Sequence, residues 1–165
     1  SPATVSGERA EFAAFTPKEM NTSDVLITRG ASAFGDVVQS QSVEAAMLIE
    51  AGQLDAAERI LTEASMILAR EPRVPRRWVP KILLQQARVA ELRGNLAAAE
   101  RLLTEAITAQ QALFSESRTE GLAYVALGRV YAGQERLPEA LETFGNGFDI
   151  IESDTLFEAH HQRGL

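Results

Sequence analysis

Residues 56–64 read AAERILTEA and residues 98–106 read AAERLLTEA, so one amphipathic segment occurs twice, 42 residues apart. The likeness extends outward, because AMLIEAGQLDAAERILTEA (46–64) aligns with RVAELRGNLAAAERLLTEA (88–106). A third and more divergent copy, GRVYAGQERLPEALETFGNG (128–147), follows after a step of 41 residues. Self-similarity at a fixed period of this length predicts a stack of repeated units, none of which can bury its apolar face alone.

Each copy predicts two helices joined by a short polar turn. Apolar residues recur at helical spacing on both sides of the turn, which contains Gly52 in copy one and Gly94 in copy two. Glycine at that point can adopt the positive φ that closes a helix end. The second helices are predicted to begin at Leu54, Leu96 and Leu137. The small residues that let the two helices of a pair approach closely are Ala57, Ala64, Ala99 and Ala106.

This pattern resembles the tetratricopeptide repeat, a helix–turn–helix unit with Leu-Gly and Tyr on its first helix and Ala, Phe and Ala on its second. The third copy carries the motif at Leu127, Gly128, Tyr131, Ala140 and Phe144. The other copies depart from it at Ala45 and Ala87 (small position), Leu48 and Ala90 (Tyr position) and Leu61 and Leu103 (Phe position), and Gly147 replaces the last Ala of copy three. The long period is similar to that of family members in kinesin light chains and in bacterial regulators of the maltose-activator type.

The resemblance covers roughly residues 38–155 and implies an all-α, right-handed solenoid of helical hairpins. Three full repeats are expected at about 38–72, 80–115 and 120–154, within a repeat domain of residues 16–165. We expect partial repeats at both ends, because VLITRGASAF (25–34) resembles a second helix and TLFEAHHQRGL (155–165) resembles the start of a further first helix. Residues 1–15 are expected to be disordered or weakly ordered. The start at Ser1-Pro2 indicates a processed or excised piece.

Composition excludes several classes of protein. The net charge is −7 with a sequence pI of about 4.9, and neither half of the chain is basic, so general nucleic-acid binding is not expected. The chain has no cysteine, which excludes disulfides, thiolate nucleophiles and Cys-based zinc sites. No apolar run is long enough to span a membrane, so no membrane partner is expected. These features are compatible with a cytoplasmic protein, which is the location we expect.

No residue pattern indicates catalysis. His160 and His161 are the only histidines, and adjacent helical positions point about 100° apart, so a metal site is not expected. There is no phosphate-binding loop and no nucleophile-elbow motif. Glu58 and Glu63 are predicted on the solvated face of a repeat, which argues against paired-carboxylate chemistry. We expect no enzyme activity, no cofactor and no catalytic residue.

Stacked hairpins leave a concave wall of first helices, where the resemblance implies that a peptide or partner helix binds. The repeat register places on this wall Gln39, Ser42, Ala46, Lys81, Leu84, Arg88, Glu91, Leu122, Val125 and Arg129. Arg88 and Arg129 occupy the same repeat position, and two stacked guanidinium groups would attract a carboxylate. The alternative is that each pairs with a neighbouring glutamate such as Glu91 or Glu120.

The segment REPRVPRRWVPKI (70–82) is unusually basic for this acidic chain. Trp and Arg are favoured interface anchors, so Arg76, Arg77 and Trp78 are a candidate docking edge. The alternative is a rigid linker in which three prolines keep the backbone extended and Trp78 packs on a neighbouring hairpin.

These observations together predict a protein–protein interaction module that binds a peptide or helix in its concave groove, within a larger bacterial protein. The resemblance leaves two alternatives open: an effector-sensing arm of a transcriptional regulator, and the regulatory region of a caspase-like protease. An exposed terminal hairpin could also pair with a second copy of the chain.

Overall fold

A computed structural model describes the backbone of residues 22–113 and 117–164, with side-chain surroundings from residue 33 onward. That part of the chain is built from helices: α1 (Thr22–Glu50), α2 (Leu54–Arg70), α3 (Trp78–Leu92), α4 (Leu96–Gln111), α5 (Arg118–Gly133) and α6 (Leu137–Gln162). The all-α prediction is confirmed, as are the predicted starts of the second helices. The expectation for residues 1–15 lies outside the described residues.

The helices pack as three successive hairpins, α1–α2, α3–α4 and α5–α6, and each hairpin packs on the next. The middle helix α3 shows how the stack holds together, because it buries side chains on two faces. Ile82 and Val89 join a core cluster with α1 and α2, whereas Ala87 joins a second cluster with α4 and α5. Each hairpin therefore covers apolar surface that its neighbour cannot bury alone, as expected for a solenoid.

Equivalent repeat positions have equivalent burial. Ala57, Ala99 and Ala140 are 0%, 0% and 2% exposed, and Leu61 and Leu103 are also buried. These residues lie where each second helix meets its own first helix, so the small side chains permit the close approach that the repeat alignment predicted.

The turn inside each hairpin needs one residue with positive φ. Gly52 (φ 76°) and Gly94 (φ 79°) fill this position in the first two hairpins, as predicted. The third hairpin has Glu135 there, with φ 62°, while Gly133 ends α5. All three turns close with the same backbone hydrogen bond. The amide of the residue after the positive-φ position donates to the carbonyl oxygen five residues earlier, and in the third turn Arg136 N donates to Tyr131 O at 2.8 Å.

The expected partial repeats at the ends require correction. Residues 25–34 do not form a separate second helix, because α1 runs without interruption from Thr22 to Glu50. Residues 155–162 likewise continue α6 and do not start a new hairpin. Neither stretch contains a proline after the first turn or a polar turn like that at 51–53, so nothing stops the helix. Gly30 lies within α1, and glycine in a helix costs about 1 kcal/mol without breaking it.

Candidate partner-binding site

The first helices α1, α3 and α5 are neighbours along the stack and form the predicted wall. A reciprocal pair of hydrogen bonds joins the first two of them. The Ser42 hydroxyl donates to Gln85 Oε1 at 2.9 Å, and Gln85 Nε2 donates to the Ser42 carbonyl oxygen at 2.8 Å. Both side chains are half-buried, so Ser42 contributes to holding the wall together as well as to its surface.

The structure brings Arg88, Glu91 and Arg129 together on this wall. Arg129 donates through Nε to Glu91 Oε2 at 3.0 Å and through Nη2 to Glu91 Oε1 at 3.2 Å, a bidentate contact between α5 and α3. Arg88 Nη1 lies 3.3 Å from Glu91 Oε1. The two arginines of the same repeat position thus share one glutamate, which is Glu91 rather than Glu120. We call these three residues the wall cluster.

The wall cluster carries a surplus positive charge, because it has two guanidinium groups and one carboxylate. Burial raises the pKa of Glu91, but the hydrogen bond and charge of Arg129, together with Arg88, outweigh burial and lower the pKa below its ordinary value. Glu91 is therefore ionised at neutral pH. Its side chain is only 16% exposed, whereas those of Arg88 and Arg129 are 46% and 43% exposed. The cations, and not the anion, face solvent.

The other predicted wall residues have different surroundings. Leu122 is exposed on α5, while Leu84 is half-buried against the core cluster of the second and third hairpins. Val125 is half-buried, and its side chain approaches Gly147 of α6. Lys81 is exposed, but its Nζ lies 5.3 Å from the centre of the Trp78 ring and so belongs with the candidate docking edge.

The candidate docking edge is partly occupied by internal contacts. Arg76 donates to the carbonyl oxygens of Leu68, Glu71 and Val74 at 3.1–3.4 Å, which satisfies backbone acceptors where α2 ends. Trp78 is half-buried against the first core cluster. The guanidinium of Arg77 lies 5.8 Å from the Trp78 ring centre, within reach of a cation–π interaction. These contacts are those of an ordered linker between hairpins.

Sequence reasoning missed a set of ion pairs that join successive repeats. Glu58 of α2 pairs with Arg93 at the end of α3, at 3.0 Å. Its repeat equivalent, Glu100, pairs with Arg136 before α6, also at 3.0 Å. The two glutamates align in the repeat, but the two arginines do not, so alignment of the copies carried no signal for the pairing.

A cleft of about 250 Å³ lies between α2 and α4, over α3. Its lining includes Glu58, Leu61, Val89 and Leu102, and none of the predicted wall residues contributes to it. Within the described residues, no group of three or more acidic or histidine side chains is placed to hold a metal ion. No described helix is long and apolar enough to cross a membrane.

A family model of the tetratricopeptide repeat matches the chain at residues 38–62 and 80–105. Each matched segment runs from a first helix through the turn into a second helix. Repeats of this family generally mediate protein–protein interactions and act as non-catalytic scaffolds. Comparison with curated proteins and with solved structures gives no match.

Proposed function

Because the chain belongs to the tetratricopeptide-repeat family, we propose that it is a protein–protein interaction module that holds a partner segment against the wall of α1, α3 and α5. The observation that carries this proposal is the wall cluster. Arg88 and Arg129 present two half-exposed guanidinium groups on neighbouring helices, and Glu91 neutralises only one of their charges.

The cluster would recognise a carboxylate of the guest, either an acidic side chain or a carboxyl terminus. Glu91 holds the Arg129 guanidinium in a fixed orientation through two hydrogen bonds, so little side-chain entropy is lost when a guest binds. Arg88 contacts Glu91 through Nη1 and can turn toward the guest. Exposed Leu122 supplies apolar contact on the same wall.

We favour a peptide over a small effector as the guest. The cleft between α2 and α4 holds about 250 Å³ and more open depressions elsewhere hold about 330–450 Å³, but neither Arg88 nor Arg129 lines any of these. The effector-sensing and protease-regulating alternatives require further domains, and no contact among the described residues supports either of them.

The test measures binding of a short fluorescent peptide rich in Asp and Glu, with a free carboxyl terminus, by anisotropy. The Arg88→Glu/Arg129→Glu variant should weaken binding at least about tenfold, which is about 1.4 kcal/mol. The matched control is Arg59→Glu/Arg101→Glu, which makes the same change of charge at one repeat position of the second helices, away from the wall. Equal losses in both variants, or none in the first, would reject the wall as the binding surface. Circular dichroism of each variant verifies that the helices are retained.

A further inference from the structure

An apolar stripe runs along α6 and is exposed over most of its length. It consists of Leu137, Leu141, Phe144 and Phe148, whose spacing of four, three and four residues places them on one side of a helix. Leu137, Leu141 and Phe148 are 59%, 73% and 57% exposed. Phe144 is half-buried because its ring packs on Gly128 of α5, and it stacks on Phe148 with the ring centroids 6.1 Å apart. We call these four residues the terminal stripe.

In the preceding repeat, the equivalent positions are covered. Phe144 and Phe148 align with Leu103 and Ile107, which are only 1% and 8% exposed. Those two residues of α4 lie in a core cluster to which both α3, the first helix of the same hairpin, and α5, the next first helix, contribute side chains. Leu96, the equivalent of Leu137, lies against Gly133 of α5. Within the described part of the chain, α6 packs against α5 alone. The terminal stripe thus occupies, at the end of the stack, the repeat positions that include the contacts of α4 with the next first helix.

Leu141 shows that the stripe is adapted to a different occupant. Its equivalents are Glu58 and Glu100, and each of these pairs with an arginine of the turn that follows. Leucine cannot make that ion pair. An occupant of the terminal stripe must therefore bring an apolar residue to the point where the internal repeats bring Arg93 or Arg136.

The charge of α6 as a whole favours a basic occupant. The helix has no lysine or arginine within Leu137–Gln162. Its six acidic residues are Glu139, Glu142, Asp149, Glu152, Asp154 and Glu158, of which Glu139 pairs at 2.6 Å with Arg136, directly before the helix. A second copy of the chain would bring the same acidic helix on a molecule of net charge −7, and the two would repel each other. We propose that the terminal stripe docks an amphipathic helix of a partner protein whose apolar face is flanked by Lys and Arg.

The probe is a synthetic amphipathic helix with leucines at heptad spacing and lysines at the flanking positions. A matched peptide has glutamate at every lysine position. The informative variant is Leu141→Glu, which installs the residue found at this position in the first two repeats and is therefore compatible with the fold. The control is Leu156→Glu, which adds the same charge to an exposed site of the same helix, roughly a quarter turn away from the stripe.

In an Arg88→Gln/Arg129→Gln background, which removes the cations of the wall cluster, we expect the lysine peptide to bind and the glutamate peptide to bind at least about tenfold more weakly. Leu141→Glu should weaken binding of the lysine peptide at least about tenfold, and Leu156→Glu less than about twofold. Equal binding of the two peptides would overturn the proposal, as would unchanged binding to Leu141→Glu. Analytical ultracentrifugation provides a further check. A dimer that Leu141→Glu dissociates would show that a second copy occupies the stripe, and the proposal would be wrong.

Discussion

Gly128 allows Phe144 to pack against α5, and the pair can be tested as a unit. Gly128 is buried, and a Cβ atom added there would lie 2.6 Å from Phe144 Cδ1, 2.7 Å from Cε1 and 2.9 Å from Cγ. Cγ lies on the axis about which the ring rotates, and it is itself within 3 Å of the added Cβ atom. Rotation of the ring therefore cannot relieve the contact. The whole side chain must move, which disturbs its stacking on Phe148.

The first two repeats solve the same packing problem differently. They have Ala45 and Ala87 at the position of Gly128, and Leu61 and Leu103 at the position of Phe144. In the third repeat, therefore, a smaller residue on the first helix (Gly128) faces a larger residue on the second helix (Phe144). The variant Gly128→Ala/Phe144→Leu recreates the pair of the second repeat at the third.

The magnitudes follow from two opposing effects. Alanine in place of a helical glycine contributes about 0.8–1 kcal/mol of stability, whereas overpacking costs about 1–3 kcal/mol. We expect Gly128→Ala to lower the free energy of unfolding by about 1 kcal/mol, and Phe144→Leu to lower it by a similar amount through lost ring contacts. The double variant should be within about 0.5 kcal/mol of the unmodified protein, so the coupling is at least about 1 kcal/mol.

Urea unfolding followed by circular dichroism measures all four members of this cycle. The matched control is Gly145→Ala, because Gly145 lies on α6 with nothing within 4 Å of an added Cβ atom. That variant should be more stable by about 0.8–1 kcal/mol, the helix-propensity effect alone. If Gly128→Ala stabilises the protein as much as Gly145→Ala does, the packing argument is refuted. Additive losses in the double variant would refute it as well.

Two further predictions concern the turn of the third hairpin and the wall cluster. A residue with a side chain loses about 1–2 kcal/mol in a left-handed conformation, which Glu135 and Gly94 both adopt. Glu135→Gly should therefore raise the free energy of unfolding by about 1 kcal/mol in urea titrations, and Gly94→Ala should lower it by about 1 kcal/mol. The pKa of Glu91 is lowered on folding, so its carboxylate stabilises the fold above an unfolded-state pKa of about 4.3, and this contribution is lost as the pH falls through the lower folded value. Glu91→Gln should therefore flatten the acid side of the stability–pH profile; a profile parallel to that of the unmodified protein would contradict this interpretation.

The repeat register could be predicted from the sequence because the same few positions recur under the same physical demand. A small residue is needed wherever two helices cross closely. Ala57 and Ala99 fill that position in two nearly identical segments of the sequence. The starts of the second helices followed from the same alignment. The continuous end helices were also foreseeable in principle, since no proline or turn interrupts them, but similarity to helices elsewhere in the repeat favoured the wrong interpretation.

The partners of individual charges could not be predicted. Arg93 precedes the positive-φ residue of its turn by one position, and Arg136 follows its own by one, yet each guanidinium reaches the same glutamate position of the preceding repeat. Because the arginine side chain is long and flexible, two arginines at different repeat positions can reach the same point in the structure. The wall cluster was predictable only in part. The repeat register aligned Arg88 with Arg129, but the sharing of Glu91 by both arginines depends on distances that the sequence does not contain.

The two binding surfaces proposed for this chain differ in the sign of their charge, and that difference separates their guests. The wall cluster has a surplus positive charge on α3 and α5, whereas the terminal stripe lies on a helix with acidic residues and no lysine or arginine. An acidic peptide that satisfies Arg88 and Arg129 would be repelled by α6, and a basic helix that fits α6 would be repelled by the wall cluster. Salt weakens both attractions, since exposed charges are screened over about 8–10 Å, but the apolar contact at Leu141 remains. The stripe should therefore retain more of its affinity at high ionic strength than the wall does.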